Sequence, residues 1–115
     1  MRNTDQDNHH DVEAGHREIV ATWGARAYAA ITVALCDDKL FRYGLDMHYS
    51  YGGCGFPIFA QSLGYATLEA ARTAALEHLL RAWHKPFPSD PETVQRELNE
   101  MRRQIEARLA QPTLF

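Results

Sequence analysis

At 115 residues, with 45% hydrophobic and 23% charged side chains, the chain is sized for one domain with a real core. A net charge of −3 excludes the broad basic surface of a general nucleic-acid binder, and no run of about 18 apolar residues exists to span a membrane. Cys36 and Cys54 form no CxxC pair, and the polar N-terminus has no apolar stretch, so free thiols and a cytoplasmic location are expected.

Residues 1–10, MRNTDQDNHH, carry no apolar anchor and read as a disordered, solvated tail. His9 and His10 belong to it, and no metal site is expected there. Val12, His16, Ile19, Val20 and Trp23 recur at i, i+4, i+7, i+8 and i+11. That spacing predicts a helix over 11–23, stopped at Gly24, although Ile19–Trp23 could instead begin a strand. Residues 27–36 alternate as a strand, with Ala29, Ile31, Val33 and Leu35 on one face, and Asp37-Asp38 makes a tight turn. The next strand alternates most clearly. Phe41, Tyr43, Leu45, Met47, Tyr49 and Tyr51 point one way, while Arg42, Gly44, Asp46, His48 and Ser50 point the other. One buried and one wet face follow.

Gly52-Gly53-Cys54-Gly55 reads as a flexible connection, and 56–61 as a short third strand with Pro57 near its start. Thr67 is a good N-cap for a helix whose apolar face is Leu68, Ala71, Ala75, Leu76, Leu79, Leu80 and Trp83. Lys85-Pro86-Phe87-Pro88 breaks the chain. A last helix is expected over 89–110, started either by Ser89 and Glu92 at capping-box spacing or by Asp90 with Pro91 in the first turn. Its apolar stripe is narrow: Val94, Leu98, Met101 and Ile105. Such a stripe packs on the domain along one seam or serves as a dimer seam against a second copy. If the helix projects, it is a rod of roughly 30 Å.

The fold expected is therefore α+β: a three-stranded antiparallel meander packed by helices in the order α-β-β-β-α-α. The 11–88 domain is followed by a helix over 89–110 and a short extended tail over 111–115. No catalytic constellation emerges. Cys54 and His48 are the nearest approach to a nucleophile pair, but no third orienting group accompanies them. His78 and His84 are six residues apart on one helix and point in different directions, so they make no metal site. His78 is expected to face solvent. No cofactor is expected.

The strongest partner-specific signal is the terminal stretch Gln111-Pro112-Thr113-Leu114-Phe115. Two large apolar side chains follow a proline that cannot continue a helix. The stretch resembles the peptide by which many bacterial proteins bind the DNA sliding clamp: Gln, any residue, a small polar residue or Asp, Leu, then Phe. The usual second-position Leu is Pro here. The resemblance implies a polar contact from Gln111, apolar anchors from Leu114 and Phe115, and Thr113 between them. Pro112 suits this mode because it biases Gln111 towards extended angles. The alternative is that Leu114 and Phe115 fold back on the domain.

Two weaker resemblances concern the fold. Helix-strand-strand-strand-helix over 11–84, with Ala71-Arg72-Thr73-Ala74-Ala75, resembles the double-stranded-RNA-binding domain, but Leu68 and Glu69 stand near where its paired lysines would lie. Thr67-Leu68-Glu69-Ala70-Ala71 resembles the helix start of HicB-type antitoxins. The first functional expectation is thus a small non-catalytic interaction protein that docks on the sliding clamp, as an accessory or inhibitory factor of replication or of a phage, plasmid or mobile element. The second is a nucleic-acid-binding module using Arg42, His48 and Tyr51 on the sheet or Arg102 and Arg103 on the last helix. The third is a protein inhibitor such as an anti-defence factor.

Overall fold

In the computed structural model, which describes residues 15–59, 62–83 and 85–111, one sheet carries two helices on one face. The strands are β1 (His16–Trp23), β2 (Ala27–Leu35), β3 (Phe41–Tyr49) and β4 (Gly52–Phe56). All neighbours are antiparallel, in the order β1-β2-β3-β4. Helices α1 (Leu68–Arg81) and α2 (Glu92–Ala110) follow. The class is α+β with an antiparallel meander, but the sheet has four strands, and no helix over 16–23 precedes it.

The leading segment is a strand whose one irregularity makes it read as a helix. The β1–β2 register shifts between Ile19 and Ala21, a β-bulge at Val20. Val20 and Ala21 are consequently both buried, each 2% exposed, although they are adjacent. Two neighbouring inward residues followed by Trp23 imitate the spacing of a helix face. Gly24, at φ 64°, turns the chain into β2 instead of ending a helix. This replacement of the first helix by a strand also removes the helix-first order shared with the double-stranded-RNA-binding domain.

The second difference concerns the glycines. Gly52–Phe56 is β4 itself, not a connection to a strand at 56–61. A Cβ on Gly53 would stand 2.3 Å from the Met47 carbonyl oxygen, and one on Gly55 2.4 Å from that of Leu45. The strand runs too close to β3 for side chains at those positions. Pro57, without an N–H, ends the pairing. The chain then crosses β3 at Gly44, where a Cβ would lie 2.7 Å from the Phe56 carbonyl oxygen. Ile58 joins Ala34 and Cys36 in a small core on the face away from the helices. Tyr65 returns to the sheet and exchanges two backbone hydrogen bonds with Phe41, at 2.7 and 2.8 Å.

The main core lies between sheet and helices. Ala29, Ile31, Leu45 and Met47 meet Ala75, Leu76 and Leu79 of α1, and Val94, Leu98, Met101 and Ile105 of α2. Thr67 caps α1, its hydroxyl accepting the Ala70 N–H at 3.0 Å. At α2 the N-cap is Pro91, with no side-chain cap bond, so neither expected capping arrangement forms. Asp90 instead accepts the Phe87 N–H through its carboxylate at 2.8 Å. The Trp83 indole N–H donates to the Leu98 carbonyl at 3.0 Å, tying the end of α1 to the middle of α2.

One ion cluster joins three elements. Glu18 of β1 accepts from Arg72 of α1 at 2.8 and 2.9 Å, and from Arg108 of α2 at 2.9 Å. The Arg72 hydrogen bond, above all, holds the Glu18 carboxyl below its ordinary pKa. A carboxyl lowered on folding stabilises the fold fully above its unfolded value of 4.5, and that stabilisation is lost as pH falls through the folded value. Glu18→Gln should cost about 3 kcal/mol at neutral pH by removing the negative charge that Arg72 and Arg108 share. In urea titrations its stability gap from the parent should be constant at neutral pH and close in acid, below the unfolded value. At the crossover, Gly44→Ala should cost about 1–3 kcal/mol because backbone, not a yielding side chain, meets the new methyl. The same titration measures it.

Candidate functional site

The last helix is the expected rod or dimer seam, and its stripe fixes where it lies. Val94 is 5% exposed, and Leu98, Met101 and Ile105 are 0%. These four residues fill the chain's own core, so they offer no dimer seam, and α2 lies along β1 instead of projecting as a rod. A stripe only one residue wide suffices because the sheet supplies the opposing wall. Gln104 reinforces the seating. Its side-chain carbonyl accepts the Thr22 N–H and its amide donates to the Thr22 carbonyl, both at 3.0 Å. The side chain thus pairs with an edge strand as another strand would. Sequence reasoning passed over Gln104, which looks like any polar position of the helix.

Helix α2 ends at Ala110, and Gln111 has extended angles, φ −87° and ψ 143°, and is exposed. It borders a shallow groove lined also by Ile19, Thr22, Gln104, Ala107 and Arg108. Thr113, Leu114 and Phe115 lie outside the described residues, as do His84 and the 1–10 tail.

The residues expected to hold nucleic acid separate. Arg42 is not on a wet face: it is 6% exposed. Its guanidinium donates to both Asp38 carboxylate oxygens at 2.9 and 2.8 Å and to the Ser62 carbonyl at 2.9 Å. The Asp38 bond holds the arginine pKa above its usual value. The segment that crosses at Gly44 covers this end of the face, which alternation along β3 could not reveal. His48 and Tyr51 are exposed, but Tyr51 stands in the β3–β4 turn, beyond the strand. Arg102 pairs with Glu106 at 3.4 Å, and Arg103 with Glu100 at 2.6 Å. Beside His48 stand two residues that sequence reasoning did not single out for binding. Tyr28 donates to Asp46 at 2.8 Å, and Arg17 reaches Asp46 at 3.4 Å and lies 5.8 Å from the Tyr28 ring centre. Asp46 offsets the only cation of that trio.

The Cys54–His48 pair does not form. Cys54 opposes Met47 and His48 opposes Gly53, so the two side chains take opposite faces of the sheet. His78 is not simply solvent-facing. It shares a 2.7 Å hydrogen bond with the Tyr43 hydroxyl inside an aromatic group that includes Phe56. Burial pushes the Tyr43 phenol up, the Tyr65 phenol adds to this, and Arg81 opposes it. Among the described residues, no group of three or more His, Cys, Asp or Glu could hold a metal ion, and no helix is long and apolar enough to cross a membrane.

A concave feature lies at the opposite end of α2. The β1–β2 and β3–β4 turns meet the first turns of the helix around a cleft of about 510 Å³. Trp23, Arg26, Tyr49, Ser50, Thr93 and Glu97 are among its lining residues. Glu97 is 4% exposed and accepts the Ser50 N–H at 3.3 Å and its hydroxyl at 3.1 Å. Glu97 lies three residues after Val94 and four before Met101, so its spacing places it beside the apolar stripe, unlike the other acidic residues of the helix.

Removing a buried, fully bonded guanidinium should differ sharply from removing an exposed one. Arg42→Ala should lower the melting temperature by about 5 °C or more, whereas Arg103→Ala should leave it within error, as calorimetry can determine. Comparison with protein-family models, curated proteins and solved structures returns no significant match.

Proposed function

We propose that this protein is a non-catalytic interaction protein that docks on the bacterial DNA sliding clamp through Gln111, Thr113, Leu114 and Phe115. The observation that carries the reading is the backbone at Gln111. Helix α2 stops one residue earlier, and Gln111 is extended and exposed, the conformation a residue before proline favours and the one an extended docking peptide requires. The helix ahead of it is held by four buried side chains and by the Gln104–Thr22 pair. The peptide would therefore start from a fixed point, which lowers the ordering cost of docking. On this reading Gln111 gives the polar contact and Leu114 and Phe115 the apolar anchors. The role is accessory or inhibitory in replication or in the life of a mobile element.

The nucleic-acid alternative loses support from the same geometry. Arg42 is enclosed, and Arg102 and Arg103 have carboxylate partners on their own helix.

Purified protein titrated against a bacterial sliding clamp should bind with a dissociation constant of about 1–100 μM. Leu114→Ala with Phe115→Ala should weaken binding by about tenfold or more. Equal binding by chains with and without residues 111–115, or none by either, overturns the proposal.

A further inference from the structure

Among the described residues, the buried charges are paired with opposite charges except in one place. Glu18 has two arginines, and Arg42 has Asp38. Glu97 is as enclosed as Arg42, yet its hydrogen-bond partners are the two donors of Ser50, and no cationic side chain of the described residues pairs with it. Buried carboxylates are ordinarily paired with a cation or bound to a metal. Position 97 lies in the second turn of α2, past the first turn where free helix N–H groups would compensate a negative charge. Thr93 precedes it by one turn and Met101 follows by one, so the helix provides no cation along this face.

The missing charge falls in the cleft described above. Its volume of about 510 Å³ is within the usual range for small-molecule sites. Trp23 and Tyr49 supply aromatic surface, which attracts cations, and Ser50 and Thr93 supply hydroxyls. Two carboxylates act on the Tyr49 wall. Burial raises the Tyr49 phenol pKa, and the nearby Asp90 and Glu97 carboxylates raise it further. Arg26, in the β1–β2 turn, lines the same cleft.

We infer that this cleft is a binding site for the ammonium or guanidinium group of a small ligand, with Glu97 as its counter-ion, Trp23 and Tyr49 as its aromatic walls and Arg26 placed to meet an acidic group on the same ligand. The site is independent of residues 111–115. A ligand carrying both charges, such as an amino acid, satisfies both ends.

Agmatine, L-arginine and a Gly-Arg-Gly peptide serve as probes in amide chemical-shift titrations of the full chain. The expected result is saturable shifts at Ser50 and Thr93 with a dissociation constant of about 1 mM or tighter, and tighter binding of L-arginine than of agmatine. Preference for the peptide would identify a basic side chain of another chain as the natural source of the cation. Glu97→Gln preserves the shape and the Ser50 contact, and should weaken binding by about tenfold or more. Should that variant not fold, Thr93→Trp, which fills the cleft and leaves Glu97 in place, should abolish the shifts. No saturable shift with any probe, or shifts unchanged in the folded Glu97→Gln or in Thr93→Trp, overturns the inference.

Discussion

The Glu18 carboxylate is the point on which the arrangement of helices depends. It projects from β1, an edge strand, and receives one arginine from each helix. Without it, the edge strand would be held to the helices by the Gln104–Thr22 pair and by apolar contact, which is non-directional. The bidentate bond from Arg72 adds direction, because a planar guanidinium fits a carboxylate in only a few geometries. Arg72 and Arg108 are 36 residues apart in a chain that turns between them through a proline-bearing break, and Glu18 accepts from both. Edge strand, first helix and second helix are thereby brought into one register.

That register makes the rest of β1 intelligible. Once Arg108 is fixed over Glu18, the helix one turn earlier presents Gln104 to Thr22, and its amide closes the free edge there. The bulge at Val20 lies between these two anchors. It turns both Val20 and Ala21 inward, where they meet Met101, Ile105 and the other core side chains. An unbulged strand would direct one of the two to the outer face.

Most of the helical content could be read directly from residues, because it rests on local signals. Thr67 caps α1 as expected, and the stripe Val94, Leu98, Met101, Ile105 is the buried side of α2. The central strands were equally legible through alternation: Leu45 and Met47 are in the core, with Tyr43 and Tyr49 packed against it. Both edge strands were misread, for opposite reasons. In β1 a bulge broke the two-residue period and left a pattern nearer to a helix. In β4 the glycines looked like a loop, because the reason for them is the approach of β3 carbonyls, a contact made by residues distant in the alternation pattern. Arg42 sits on the correct side of its strand, but whether that side is wet depends on the segment crossing at Gly44. Glu97 differs: its spacing to Val94 and Met101 already places it on the inward face, but an acidic side chain there reads as solvated.

The two ends of α2 differ in a way that follows from this placement. At its C-terminal end every charge has an intramolecular partner, since Arg108 meets Glu18, Arg102 meets Glu106 and Arg103 meets Glu100. A surface with its charges already matched gains little from a charged partner, which is compatible with the proposed docking through extended backbone and apolar anchors of the Gln111–Phe115 peptide. At its N-terminal end, helix and turns enclose a carboxylate whose neighbours in the chain leave its charge unmatched. Burial without a counter-ion costs stability, whereas a neutral residue of similar shape at position 97 would avoid that cost. A negative charge retained there acquires a use when a cation arrives from outside the chain. The two proposed modes of recognition would thus sit at opposite ends of one helix, Gln111 following its last residue and Glu97 lying in its second turn.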